Sequence, residues 1–272
     1  MSAEKDAVRE FWDDASCGEK LYLEAGDAPG FRRQAEVRYA LEPFIVPFAD
    51  FDSAGGLRVL EIGVGLGADH QRFAESGALL SGVDLTPRAV DFTKRRLALF
   101  GLQSDLRVGD AERLPFENDT FDRVYSWGVI HHSPDTPAAV REILRVLRPG
   151  GNAAVMIYHT RSLVGLMLWL RYALARGRPW MSLSTIYSRY LESPGTKAYS
   201  IREGHALFNQ FTDVTVRTQL THGDLLSSQA GQRHEGLVIR MMRLIWPRWF
   251  FARFCKRSGL FMMINATKPR QP

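Results

Sequence analysis

Apolar positions along the chain change their spacing several times, and those changes divide it. From Gln34 the residues Val37, Ala40, Leu41, Phe44 and Ile45 recur at helical spacing, with Pro43 placed to kink or end the helix. Phe11, Trp12 and the cluster Leu21-Tyr22-Leu23 lie ahead of them, so one or two helices are expected before the first strand. Ser53-Ala54-Gly55-Gly56 interrupts, and Val59, Leu60 and Ile62 then form an apolar run of strand length that ends on Gly63, Gly65 and Gly67. Further strands are predicted over Leu79–Asp84, Leu106–Gly109, Phe121–Ile130 and Asn152–Tyr158. Between them fall helices opened by Thr86-Pro87 and Thr136-Pro137, the first reaching about Phe100 and the second stopping before Pro149-Gly150-Gly151. Strand alternating with helix favours a parallel sheet covered by helices on both faces.

The regular alternation stops at His159. An apolar helix is expected over Leu163–Leu174, a loop around Ser193-Pro194-Gly195, and a second helix behind the capping box Ser200…Glu203. Phe211–Leu220 alternates like a strand, and Leu260–Ala266 is the last strand candidate. Four regions follow: an N-terminal helical cap (1–52), a ligand-binding core (53–158), a helical insertion placed as a substrate cap (159–210), and terminal strands carrying an inserted basic and aromatic helical segment (211–272).

With 272 residues, 45% hydrophobic and 24% charged, the chain has the make-up of a globular protein able to bury its own core. Cys17 and Cys255 stand nearly a chain length apart, so neither a disulfide framework nor a metal site is expected from spacing, and a reduced cytoplasmic setting follows. The charged N-terminus offers no signal-peptide core. The net charge of +5 is uneven: Arg240, Arg243, Arg248, Arg253, Lys256, Arg257, Lys268 and Arg270 all follow the last acid, Glu235, which leaves the rest of the chain at −3. Gly236–Gly259 mixes six of these with Trp246, Trp249, Phe250, Phe251 and Phe254. Its apolar runs fall short of the roughly 20 residues of a membrane span. A cap helix with a solvated basic rim and an interfacial helix at the inner membrane surface both fit that make-up.

The glycine turn poses the chemical question. A strand that runs through such a turn into a helix offers free N–H groups and a positive dipole end to a ligand. Gly63-Val-Gly65-Leu-Gly67-Ala68 with Asp84 further on also satisfies a loose dinucleotide fingerprint. What separates the two cofactors is the company: Glu61 inside the strand, Asp84 ending the second strand, Asp110 and Glu112 after the third, and Ser126-Trp127 leading to His131-His132 after the fourth. Ligands of open parallel sheets bind at these carboxyl ends.

Val59-Leu60-Glu61-Ile62-Gly63-x-Gly65-x-Gly67, Gly82-Val83-Asp84-Leu85-Thr86, Gly109-Asp110-Ala111-Glu112-x-Leu114-Pro115-Phe116, Phe121-Asp122-x-Val124, His131-His132-x-Pro134-Asp135 and Arg145-Val146-Leu147-Arg148-Pro149-Gly150-Gly151 occur in this order. Together they resemble the successive motifs of class I S-adenosylmethionine-dependent methyltransferases, most closely the type 11 subgroup that includes quinone-methylating enzymes. The resemblance covers Leu57 to Tyr158 and implies a Rossmann-like α/β fold: a seven-stranded, mostly parallel sheet with helices on both faces and the last strand antiparallel. It implies S-adenosylmethionine as cofactor, with Gly63 and Gly65 near its methionine and ribose, Glu61 supporting the turn, Asp84 on the ribose hydroxyls, and Asp110 and Ala111 on the adenine. Gly67, Leu85, Glu112, Ser126 and Trp127 complete the implied cofactor site.

An acceptor hydroxyl or carbon acid must lose a proton, and His131, His132 and His159 are the candidate bases because each lies just past a predicted central strand. Trp12, Tyr22, Tyr39 and Tyr158 are candidates for an aromatic substrate box, with core packing as the plainer reading of each. Arg38 joins them, although Glu42 one helical turn away makes an intrahelical ion pair as natural. The expected partner is a small molecule and not nucleic acid: the fourth strand exits as Ser-Trp-Gly-Val, without the Asn/Asp-Pro-Pro-aromatic signature of base-methylating relatives. A nicotinamide-dependent oxidoreductase and a cofactor-binding scaffold without turnover are the competing readings.

Overall fold

The computed structural model describes residues 3–227 and 246–270. Its centre, among those residues, is a seven-stranded sheet ordered β3-β2-β1-β4-β5-β7-β6. The strands are β1 (Arg58–Ile62), β2 (Leu79–Asp84), β3 (Asp105–Val108), β4 (Phe121–Trp127), β5 (Leu147–Tyr158), β6 (Thr212–Gln219) and β7 (Phe261–Thr267). β1 to β5 pair in parallel, while β7 runs antiparallel to both β5 and β6, so the last strand opposes the rest as expected.

Helices cover both faces, and the strand alternation shows which side each takes. Leu60, Ile62, Val124, Val155 and Ile157 pack against Val140, Ile143 and Val146 of α7 (Thr136–Val146). On the other face Val59, Tyr125 and Ala154 meet Ile45 and Ala49 of α4 (Ile45–Ala49) and Phe73 of α5 (Ala68–Glu75). Further along that face Met156 and Tyr158 pack under α8 (Leu163–Tyr172) and α9 (Leu183–Tyr190). Val90 and Leu97 of α6 (Pro87–Leu99) close over Val64 and Leu106. Strands buried on two sides read as continuous apolar runs, which is why they were legible.

Several boundaries differ from the sequence reading. Four helices precede the sheet, not one or two: α1 (Ala3–Asp14), α2 (Glu19–Tyr22), α3 (Ala28–Leu41) and α4. α1 escapes periodicity because Val8 is its only buried residue. β4 ends at Trp127 and not at Ile130, since Gly128 turns left-handed (φ 74°) and Ile130–His132 forms a 3-10 turn. β5 starts at Leu147, so Pro149-Gly150-Gly151 lies inside the strand; opposite it the pairing slips between Phe121 and Arg123. The cap of α7 is Asp135, whose side chain accepts from the Ala138 N–H, while Thr136 sits within the helix. α9 is an unexpected helix of the insertion, followed by α10 (Ile201–Leu207) with its capping box intact. Of the basic and aromatic segment, α11 (Arg248–Phe254) is described and Gly236 to Ile245 lie outside the described residues. No described helix is long and apolar enough to cross a membrane.

Candidate active site

A cavity of about 230 Å³ opens at the carboxyl ends of β1, β2, β4 and β5. One half of its wall is backbone. Gly63 takes φ 83°, and a Cβ there would stand 2.1 Å from the Val129 side chain; Gly65 takes φ 51° with nothing within 4 Å, so its backbone faces open space. The turn is therefore shaped both to pack beneath the exit of β4 and to leave a cradle, which suits close approach of a ligand.

The turn is buttressed from below by a chain of polar groups. Glu61 is buried and lies 2.8 Å from His70 Nδ1, while His70 Nε2 lies 2.8 Å from the Ser104 hydroxyl, which donates to the Leu80 carbonyl. Room for the imidazole comes from Gly82, where a Cβ would meet the ring at 2.7 Å. Burial holds His70 down to about 3 and, helped by Asp69 and Asp84, holds the Glu61 carboxyl well above its usual range. With both neutral the network runs in one direction: Glu61 donates to His70, which donates to Ser104.

Asp69, at the start of α5, ties the N-terminal helices to this turn. It accepts from Arg38 Nε (3.1 Å) and Nη2 (2.7 Å), from Tyr39 (3.0 Å) and from Tyr125 (2.9 Å). Burial would push its carboxyl up, but Arg38 and the two phenols hold it below the usual range. Arg96 repeats the device, donating to Gln71, Gln34 and the Leu66 and Phe31 carbonyls.

Asp84 lines the cavity, its Oδ1 accepting from the Thr86 N–H (3.0 Å) and hydroxyl and its Oδ2 from the Gly65 N–H (3.2 Å). Burial raises its pKa, and those N–H groups oppose the rise. Leu85, Asp110 and Ala111 line the next stretch, and Lys5 of α1 reaches across to Asp110 (2.5 Å) and Glu112 (2.6 Å). Glu112 is not in the wall; it also accepts from the Ser133 hydroxyl and from the Asp135 N–H (2.8 Å), clipping this loop to the start of α7.

The other half of the wall is aromatic. Trp127 stacks near Phe44 (6.0 Å) and meets Phe261 edge-on (5.5 Å), Tyr158 stacks on Phe261 (6.0 Å), and Trp12 meets His132 edge-on (5.1 Å). Among these rings sit Cys17, Glu42 and Glu192. Burial pushes Glu42 up to about 7, with Arg38 opposing and Asp69 and Glu192 adding to the rise.

Of the residues singled out in the sequence, Glu61, Gly63, Gly65, Gly67, Asp84, Leu85, Asp110, Ala111, Trp127, His132, Trp12, Arg38 and Tyr158 share this wall. Six lie outside it: Glu112, Ser126, Tyr22, Tyr39, His131 and His159. Ser126 is fully buried inside β4, and Tyr39 is committed to Asp69. His159 is buried with its Nδ1 donating to the Gly259 carbonyl (3.1 Å), which braces the strand ends. Burial, His132 and Lys197 push His131 far below the usual imidazole range, so it stays neutral. Asp69, Lys5, Glu42, Cys17 and Glu192 were missed. Only Asp69 carried a signal, as the acid just past the glycine turn.

Residues 60–155 match the family model described as a methyltransferase domain. An uncharacterized protein of Mycobacterium tuberculosis is 35% identical over 133 residues, 49% of this chain and 48% of that protein. A demethylmenaquinone methyltransferase of Tropheryma whipplei is 30% identical over 152 residues, 54% of this chain and 62% of that enzyme. The matched stretch thus spans about half the length of the first curated relatives. In structure, phosphoethanolamine N-methyltransferase 2 of Haemonchus contortus with S-adenosyl-L-methionine aligns with TM-score 0.57 at 17% identity, over 97% of this chain and 60% of that one, a likeness of fold. The glycine turn and the acids after β2 and β3 fall within that matched stretch, and residues 60–155 carry a methyltransferase domain.

Proposed function

We propose that the protein transfers the methyl group of S-adenosylmethionine to a small, flat or lipophilic acceptor. The observation that carries this reading is that the glycine cradle, Asp84 and Asp110 open into the same cavity as the chamber of Trp12, Trp127, Tyr158 and Phe261. Gly63 and Gly65 would hold the methionine and ribose part of the cofactor, Asp84 the ribose hydroxyls, and Asp110 with Ala111 the adenine. The bound cofactor supplies an electrophilic methyl group; the chain supplies alignment, since in-line displacement gains chiefly from positioning. Aromatic walls suit a flat ring, as does the demethylmenaquinone named for one relative. His132 is the expected base still in the wall, and Glu42, near 7, is titrated at the pH where a proton acceptor works best. The test is transfer of labelled methyl from S-adenosylmethionine to a panel of phenols, quinols and amines. Labelled product with a flat acceptor supports the reading, whereas cofactor binding with no product across the panel favours a scaffold.

A second reading concerns the surface. Trp249, Phe250 and Phe254 of α11 are exposed at 74, 47 and 61%, beside Arg248, Arg253, Lys256 and Arg257. Aromatic residues with basic neighbours suit peripheral contact with an anionic inner-membrane surface. The expected result is co-flotation with anionic liposomes at low salt, reduced by Trp249→Ser; no co-flotation removes it.

A further inference from the structure

Beside the acceptor chamber lies a cluster of which the methyl-transfer reading uses His132 alone. The 3-10 turn after Gly128 sets the rings of His131 and His132 4.2 Å apart. The loop after α9 brings Glu192 to them, sixty residues later in the chain. One ligand atom each from His131, His132 and Glu192 lies within 4.8 Å of the others.

Both nitrogens of His131 and Nε2 of His132 are buried without a hydrogen-bond partner. Buried polar atoms are nearly always satisfied, so three such nitrogens at one spot ask for a ligand. His132 is also oriented as a metal ligand is: its Nδ1 is bound by the hydroxyls of Ser193 (2.8 Å) and Thr196 (3.1 Å), which turns Nε2 toward Glu192. That carboxylate is steadied in turn by the Tyr158 hydroxyl, which donates to Oε2 at 2.7 Å.

The gap between the two side chains carries the argument further. His132 Nε2 and Glu192 Oε2 stand 3.4 Å apart and form no hydrogen bond. A direct N–H···O bond closes to about 2.7–3.2 Å. Two ligands each about 2.1 Å from a tetrahedral ion stand about 3.4 Å apart.

We propose that His131, His132 and Glu192 form a site for a divalent first-row transition-metal ion, with its open side facing the acceptor chamber. Two imidazoles and a carboxylate are a donor set for zinc or iron(II), and three protein ligands leave a position for an outside donor. Ligand atoms up to 4.8 Å apart must close by up to about 1.4 Å to reach a common tetrahedral ion at such bond lengths. Since His132 and Glu192 line the cavity, that position would take an oxygen or nitrogen of the acceptor. This last role rests on the proposed function; the ion site does not.

The test uses the full chain, stripped with chelator and titrated with Zn²⁺ by calorimetry, with metal analysis after dialysis and Co²⁺ absorption to report the ligand set. One retained ion per chain is expected, with affinity falling at least about tenfold in Glu192→Gln and in His132→Asn, and about tenfold in Ser193→Ala, which removes an orienting hydroxyl. Exposed His205 serves as control, and His205→Asn should leave binding unchanged. Should His132→Asn fail to fold by circular dichroism, Glu192→Gln at a partly exposed side chain carries the test. No retained ion, or unchanged affinity in Glu192→Gln, overturns the site. Parallel titration with S-adenosylhomocysteine separates the two readings: lost cofactor binding with Zn²⁺ retained overturns the methyl-transfer reading alone.

Discussion

The cofactor half of the cavity and its acceptor half are built in opposite ways. The first is backbone and pinned carboxylates from a continuous stretch of chain, and Asp69, Asp84 and Asp110 each have named partners. The second gathers Trp12, Cys17, Glu42, Trp127, His132, Tyr158, Glu192 and Phe261 from across the chain, and leaves a nitrogen of His132 unsatisfied beside a raised carboxyl at Glu42. A binding surface for a fixed ligand is rigid and complete, whereas a surface that meets a variable acceptor keeps spare valence. Perturbed ionisation occurs in both halves: at Glu61, His70 and Asp84 around the first, and at Glu42 in the second.

That contrast breaks most visibly at the buttress. Asp69→Ala leaves the partly exposed Arg38 and the Tyr39 and Tyr125 hydroxyls without their shared acceptor, and unsatisfied buried groups predict a loss of about 2–3 kcal/mol. Urea denaturation should show that loss, and a change under about 1 kcal/mol would mean Arg38 reorganises around Glu42. Asp84→Ala comes next: under the proposed function it removes the acceptor for two ribose hydroxyls, and charged hydrogen bonds of about 1.5–3 kcal/mol each predict at least about a hundredfold weaker cofactor binding.

The Glu61–His70 pair predicts a pH window. Unfolded His70 gains its proton below 6.5 while the folded ring stays neutral to about 3, so this group loses stability as pH falls below 6.5. Unfolded Glu61 ionises above 4.5 while the folded carboxyl stays protonated, so that group loses stability as pH rises above 4.5. Between these values the two cancel, and outside them stability falls by up to about 1.4 kcal/mol per pH unit. Glu61→Gln should abolish the alkaline limb, leaving stability flat above pH 6.5; a persisting limb would place its cause elsewhere. The smallest effect is at Lys5. Lys5→Met frees Asp110 for the adenine amine, and partly exposed ion pairs of about 1 kcal/mol or less predict a tightening of a few-fold in cofactor affinity.

The same division explains what could be read in advance. β1, its turn and β2 are local: apolar runs, positive-φ glycines and a terminal acid declare themselves within a few residues. Asp84 and Asp110 were found because strand ends set their place in this fold. Lys5 and Glu192 were not, because each acquires meaning only through a partner sixty or more residues away, brought near by packing. His159 and Tyr39 lie outside the wall because position after a strand or on a helix does not set which way a hydrogen bond turns the side chain. β4 was overextended because Gly128 ends it through a backbone angle that Val129 and Ile130, as good strand formers, conceal.

The most direct measurement is calorimetric titration of the wild type, Asp84→Ala and Glu192→Gln with S-adenosylhomocysteine and with NAD. The account predicts that the homocysteine nucleoside binds, that Asp84→Ala weakens it at least about a hundredfold, and that Glu192→Gln leaves it unchanged. Binding of NAD alone, or equal loss of cofactor affinity in the two variants, would contradict it.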